Sequence, residues 1–202
     1  PTETILDEKR EVTFEKATLF SEDYVYAQGR ILLSTDNIAD AVRVANEAMG
    51  VVIDKNQQDV WKRSRKTSQT AFRGMMVGEE DKDAGSIAKS INAMLEREGI
   101  NISVSALLEQ GDTPREILQN TLRDTKVFDL SGCTIDEVLY YISNGAPVFV
   151  MTDADDAALI VGYDSSHIMI YDPTKNATYR KSISDADETF ANAGSIFLTY
   201  LK

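Results

Sequence analysis

The chain holds one thiol and one imidazole, Cys133 and His167. A thiol and an imidazole within bonding reach form the nucleophile and base of a cysteine hydrolase, so the placement of these two decides whether that chemistry is open. Cys133 stands just before Thr134-Ile135-Asp136-Glu137, which has the pattern of a capping box, and a helix N-terminus lowers the pKa of a nearby thiol. The competing reading of Cys133 is a half-buried turn residue, because lone cysteines usually behave as small hydrophobes. His167 lies beside a turn, five residues before Asp172 on one β-rich run. An odd offset on a strand points two side chains to opposite faces, so His167 and Asp172 cooperate only across a bulge; otherwise His167 is a turn histidine.

Two further patterns invite chemistry. Ser86-Ile87-Ala88-Lys89 matches the Ser-x-x-Lys motif of serine acyl-transfer enzymes. The companion motifs are absent downstream, and a serine at this place reads more simply as a helix N-cap. Asp153, Asp155 and Asp156, with Asp172 nearby, offer oxygen ligands suited to calcium. Their spacing fits no EF-hand loop, and a solvated acidic loop is the competing reading. No cofactor is implied.

The elements that must position these residues fall into two blocks. Residues 12–63 read as strand, strand, helix, strand, strand. Val25 to Leu33 is β-rich. Asp36-Asn37 offers an N-cap to a helix with Ala41, Val44, Ala45 and Ala48 on one stripe and Gly50 as its stop. Val51-Val52-Ile53 and Val60-Trp61-Lys62, joined by a turn at residues 54–57, predict a hairpin. This block, 1–63, is a small α/β module. Residues 64–83 are polar, carry alternating charge and two glycines, and read as a linker. From 84 onward a helix opens near Ser86, with Ile87, Ile91, Met94 and Leu95 at helical spacing before Gly99. Thr113-Pro114-Arg115-Glu116 is a second helix start, with a capping threonine, proline in the first turn and glutamate three residues on, and Thr134 to Glu137 repeats that pattern. Ile135, Val138, Leu139 and Ile142 form the buried stripe of the third helix. After Pro147 the period changes to short β-branched or aromatic runs at 147–151, 158–163, 167–172 and 195–200. Helices followed by strands make this half α+β.

Composition excludes several function classes. The chain has 202 residues, 33 acidic against 21 basic, for a formal charge of −12. Such a surface repels phosphate backbones and anionic lipids, so nucleic acid is not an expected partner. The apolar runs are far shorter than the ~20 residues of a membrane span, so no membrane insertion is expected. A hydrophobic fraction of 43% is ordinary for a globular protein. One cysteine rules out an internal disulfide or a multi-cysteine metal site. The start Pro1-Thr2-Glu3-Thr4 has neither a basic nor an apolar segment and reads as the start of a processed fragment.

One ordered set of residues adds a family likeness. Three helices are followed by Gly145-Ala146-Pro147-Val148-Phe149-Val150, by Ala158-Leu159-Ile160-Val161-Gly162-Tyr163-Asp164 and by Ile170-Tyr171-Asp172-Pro173. This order resembles the bacteriocin-processing, double-glycine leader peptidases, which are papain-like cysteine peptidases, over about residues 83–202. The resemblance implies a papain-like fold with the nucleophilic cysteine opening the first helix, a histidine starting the first hairpin strand, and the aspartate of Asp-Pro ending the second. On this sequence those positions are Ala84, the neighbourhood of Asp156 to Ala158, and Asp172. If Tyr163 opposes His167, antiparallel counting places Ala158 opposite Asp172 with Asp156 at the strand start, and no imidazole is there. The family's oxyanion glutamine has no clear counterpart, the nearest being Gln69. Only Asp172 of the four parts survives. The resemblance therefore implies a degenerate, catalytically inactive domain that binds a peptide or protein within a larger extracytoplasmic bacterial protein. The alternatives are a cysteine peptidase or transferase using Cys133, and a purely structural ectodomain.

Overall fold

A computed structural model describes residues 2–7, 10–15, 23–64 and 71–202, the first two stretches as backbone only. The chain divides into two compact units, residues 1–65 and 66–202.

In the first unit, β1 (Thr2–Asp7) and β2 (Arg10–Glu15) form an antiparallel pair. β3 (Asp23–Ala27) and β4 (Arg30–Thr35) follow, then α1 (Ile38–Glu47), β5 (Val51–Asp54) and β6 (Asp59–Lys62). The last four strands make an antiparallel sheet in the order β4-β3-β5-β6. The β-rich run from Val25 to Leu33 is thus a hairpin and not one strand. Gln28 and Gly29 both take left-handed backbone, with φ of 52° and 78°, and two successive positive φ values define the tight turn whose twist suits a hairpin. Asn37 caps α1, its Oδ1 accepting from the N–H groups of Ala39 and Asp40 at 3.0 and 3.2 Å.

The end of α1 inverts the usual use of glycine. Met49 takes φ +55° and is 85% exposed, whereas Gly50 keeps negative φ. A Cβ at Gly50 would lie 2.6 Å from the carbonyl oxygen of Tyr26. The glycine therefore serves the close approach of α1 to β3, and the left-handed cap falls on a methionine that pays the steric penalty. Met49→Gly is expected to raise stability by about 0.5–1 kcal/mol. Gly50→Ala is expected to lower it by about 1–3 kcal/mol. Denaturant midpoints followed by the fluorescence of Trp61 check both.

The second unit begins within the segment read as linker. Of that segment, residues 65–70, Gln69 among them, lie outside the described residues. Residues 71–83 are built into the unit. The Phe72 N–H donates to Val161 O at 3.0 Å, the Met75 side chain joins the core, and the Gly78 N–H donates to Asn92 Oδ1 at 2.6 Å. A single 3-10 turn, Glu79–Asp81, leads into α2 (Ser86–Arg97), α3 (Val104–Glu109) and α4 (Pro114–Thr121). Then come β7 (Lys126–Asp129), α5 (Ile135–Ser143), β8 (Val148–Met151), β9 (Ala157–Tyr163), β10 (His167–Asp172), β11 (Ala177–Ser182), α6 (Ile183–Asn192) and β12 (Phe197–Leu201). The six strands form one antiparallel sheet in the order β11-β10-β9-β8-β12-β7. β8 and β9 are buried along their whole length. The order is thus not helices first and strands afterwards, since β7 precedes α5 and α6 interrupts the strands.

Both capping boxes form. Glu116 accepts from the Thr113 N–H at 2.9 Å and Glu137 from the Thr134 N–H at 2.8 Å, each satisfying a helix-end donor that otherwise has no partner. α5 buries Ile135, Val138, Leu139 and Ile142 as its stripe requires.

Candidate functional site

The β9–β10 hairpin fixes the geometry of the site. Its register does not start with Tyr163 opposite His167. Tyr163 pairs with Ile168, Gly162 with Met169, Ile160 with Ile170 and Leu159 with Tyr171. Val161 is the extra residue of a bulge on β9, and its carbonyl is the one that takes the Phe72 N–H. The one-residue shift at the turn and the bulge cancel. Past Leu159–Tyr171, the register sets Asp172 beside Ala158, two residues from Asp156.

The start of α2 meets the same end of the hairpin. Ser86 is not the N-cap: Gly85 holds that position and no side chain caps the helix. The Ser86 hydroxyl instead donates to Asp156 Oδ1 at 2.8 Å and accepts from the Ala157 N–H at 3.1 Å. The helix start, the β9 start and the β10 end are thereby gathered at one place. Ala84 sits just before, partly buried against the core, with its N–H bonded to Asp81 O at 3.0 Å.

Among the described residues, no nucleophile–base pair arises there. Ser86 is buried, and its hydroxyl is engaged both as donor and as acceptor. Asp172 is turned to its own loop, where Oδ1 accepts from the Thr174 N–H at 2.9 Å, the Thr174 hydroxyl at 2.6 Å and the Lys175 N–H at 3.3 Å, and Oδ2 pairs with Lys175 Nζ at 2.9 Å. Burial pushes the Asp172 carboxyl upward, but the Thr174 and Lys175 hydrogen bonds outweigh it and hold the group at about 2. Both oxygens of Asp172 are thus occupied within its own loop.

Three of the aspartates considered as oxygen ligands for calcium are each engaged separately. Asp153 caps the Ala154 N–H at 2.7 Å, Asp156 is bound to Ser86, and Asp172 is neutralised by Lys175. Asp155 is exposed. Among the described residues no three acidic, histidine or cysteine side chains converge as a metal site.

Cys133 and His167 are also kept apart. Cys133 follows β7 and is buried, 2% exposed, not half-buried. The neighbouring Gly132 N–H bonds to Ser195 O at 2.8 Å, which keeps this loop at the β7–β12 side of the sheet. His167 is on β10. Strands β12, β8 and β9 separate β7 from β10, a lateral span of roughly 19 Å at ~4.8 Å per strand. At the turn end of the hairpin, His167 Nδ1 lies 2.9 Å from Ser166 Oγ and 3.3 Å from a guanidinium nitrogen of Arg180. The His167 backbone N–H donates to Asp164 Oδ1 at 2.8 Å. Asp164 is held at about 2, chiefly by the Ser166 N–H; burial opposes this, while the His167 N–H and the Arg180 charge add to it. The cluster closes a turn.

A second likeness now has a structure to rest on. No protein-family model matches the chain, and no curated protein matches it. A crystal structure from Bacillus anthracis, provisionally named a C39-like peptidase, superposes with a TM-score of 0.53 at 18% identity. The match covers 63% of this chain, too much for the first unit alone, and 94% of the other. Over the matched part the fold is that of this C39-like peptidase structure. At this identity the likeness establishes architecture and no more, so the chemistry rests on the side chains themselves.

Sequence reasoning overlooked the hub beneath the site. Asn92, in α2, is completely buried; its Nδ2 donates to Asp81 Oδ2 at 3.1 Å and to Ile102 O at 3.0 Å. An asparagine inside the run Ile91-Asn92-Ala93-Met94 was the available signal, because a buried amide needs partners.

The two depressed aspartates predict a pH dependence. Each has an ordinary value near 3.8 and a folded value near 2, so between those values the unfolded chain binds more protons. The stability they supply is fully present above pH ~4 and is lost as pH falls through ~2. An Asp164→Asn, Asp172→Asn variant is expected to be less stable than the parent at pH 7 and to converge with it as pH falls below ~2. Urea midpoints across that range check this.

Proposed function

We propose that the second unit is a degenerate, papain-like peptidase domain that has no catalytic apparatus and binds an extended peptide or protein segment, as part of a larger extracytoplasmic bacterial protein. One observation carries the reading. At the place where the α2 start, the β9 start and the β10 end converge, the side chains are Ala84, Ser86, Asp156 and Asp172, with Ser86 and Asp156 bonded to each other. A thiolate needs an imidazole alongside it to relay a proton, and the hydrogen bond between buried Ser86 and exposed Asp156 stands where that pair would be. A peptidase-like scaffold without that pair supports binding rather than cleavage as its use.

Panning the immobilised full chain against a random peptide library tests the proposal. A motif is expected whose binding weakens at least about tenfold on Asp156→Arg, and whose peptide stays intact on prolonged incubation. Enrichment of nothing favours a purely structural role, and cleavage of the peptide restores an enzyme; either result overturns the proposal.

The assignment of degenerate positions has its own check. Ala84→Cys introduces a thiol before α2, and Asp156→His adds an imidazole at the β9 start. The double variant is expected to react with iodoacetamide at pH 7 at least about tenfold faster than Ala84→Cys alone, since a neighbouring imidazolium lowers the thiol pKa. Equal rates would mean that positions 84 and 156 do not face each other as a nucleophile and base would.

A further inference from the structure

At the end of α2 remote from Ser86, a cavity of about 580 Å³ opens between α2, α4 and the β7 start, lined by Glu98, Ile100, Ile102, Asn120, Thr121, Leu122, Arg123, Thr125 and Lys202. Since α2 spans Ser86–Arg97, at ~1.5 Å per residue this mouth is roughly 18 Å from the Ser86–Asp156 contact. The volume is in the range of small-molecule and peptide-end sites.

Three features give the cavity a polarity. Among the described residues Glu98 is the only acidic one lining it and is already committed, with its side chain 10% exposed, Oε1 accepting from the Tyr200 hydroxyl at 2.6 Å and Oε2 paired with Lys202 Nζ. Burial pushes the Glu98 carboxyl up, but the Lys202 and Tyr200 hydrogen bonds overcome it and leave it below its ordinary value, so it stays charged and neutralises Lys202. Arg123 is exposed on the rim and has no ion-pair or hydrogen-bond partner among the described residues. The exposed Arg123 guanidinium presents a planar fork matched to a carboxylate. Thr125, in the wall, keeps a buried Oγ1 with no hydrogen-bond partner, which a bound polar group would satisfy on rotation of the side chain. Ile100, Ile102 and Leu122 supply an apolar patch beside these groups.

We infer that this cavity binds a carboxylate whose α-carbon carries an apolar side chain, with Arg123 taking the carboxylate and Ile100, Ile102 and Leu122 taking the side chain. A free apolar amino acid and a peptide C-terminus share that chemistry. The inference is independent of what the opposite end of α2 does.

The test is titration of the full chain with acetyl-Gly-Gly-Leu, its C-terminal amide and free leucine, followed by amide chemical shifts in NMR. The acid is expected to shift Ile100, Ile102, Leu122 and Thr125 saturably, the amide to bind at least about tenfold more weakly, and higher salt to weaken the acid alone. Arg123→Ala is expected to abolish the difference between acid and amide while leaving the remaining spectrum in place. Tighter binding of the tripeptide than of leucine identifies a peptide end as the ligand, and equal binding identifies the free amino acid. Equal binding of acid and amide by the parent chain, an Arg123→Ala variant that keeps the preference, or shifts confined to other residues each overturn the inference.

Discussion

Iodoacetamide is expected to alkylate Cys133 in the native chain at least about a hundredfold more slowly than a small-molecule thiol at the same pH. The residue is 2% exposed, and the loop that carries it is fixed on both sides: the Cys133 N–H bonds to Leu130 O at 3.0 Å, and the Leu130 N–H to Phe197 O at 2.9 Å. The reagent therefore reaches the sulfur only when this loop opens. A hundredfold suppression corresponds to an opening free energy of about 2.7 kcal/mol, well inside the 5–15 kcal/mol that global unfolding of a domain costs. In 6 M guanidinium the rate should rise to that of the reference thiol. A catalytic thiol behaves in the opposite way, because it is exposed and its pKa is depressed, and it outpaces the reference near neutral pH. Native labelling at or above the reference rate would return Cys133 to the position of nucleophile and remove the ground for calling the domain inactive.

What could be read from the sequence, and what could not, follows the distance over which each element is determined. The boxes at Thr113 and Thr134 depend on four consecutive residues, so their pattern was sufficient. Counting along the hairpin also reached the correct end, Asp172 beside Ala158, although the starting pair was wrong. The turn is one residue longer on the β10 side, and the bulge at Val161 takes that residue back; neither leaves a mark in the pattern of apolar residues. β11 was missed because all of its residues are exposed or half-buried, so it has no alternation and is defined only by its pairing with β10. α3 was missed for a different reason. It has six residues, too few for a period, and its start is held by Asp81, more than twenty positions earlier. The candidate site shows the same limit. Ser86 and Asp156 could each be singled out, one as a cap and the other as a metal ligand, but their roles come from a contact across 70 positions that no local pattern announces.

Asp81→Ala is expected to cost the second unit about 3–5 kcal/mol. The Asp81 carboxylate is 1% exposed and accepts four hydrogen bonds, from the Val104 N–H at 2.7 Å, the Ser105 N–H at 3.0 Å, the Ser105 hydroxyl at 2.6 Å and Asn92 Nδ2 at 3.1 Å. Removing it leaves the first two N–H groups of α3 without the acceptor that holds them, and each buried donor so stranded costs roughly 1–3 kcal/mol. Water entering the space and the retained Asn92 bond to Ile102 O at 3.0 Å limit the loss. Asp81→Asn should fall between parent and alanine, because an amide oxygen can still accept while its NH₂ must face donors. Tyrosine near-ultraviolet dichroism during denaturation is the suitable measurement, since the chain's one tryptophan, Trp61, belongs to the first unit. Hydrogen exchange gives the finer readout: Val104 and Ser105 should lose protection in Asp81→Ala before the β8 and β9 amides do. A variant within about 1 kcal/mol of the parent would mean that residues 71–83 are the loose connection their composition suggests, and that Asp81 does not anchor α3.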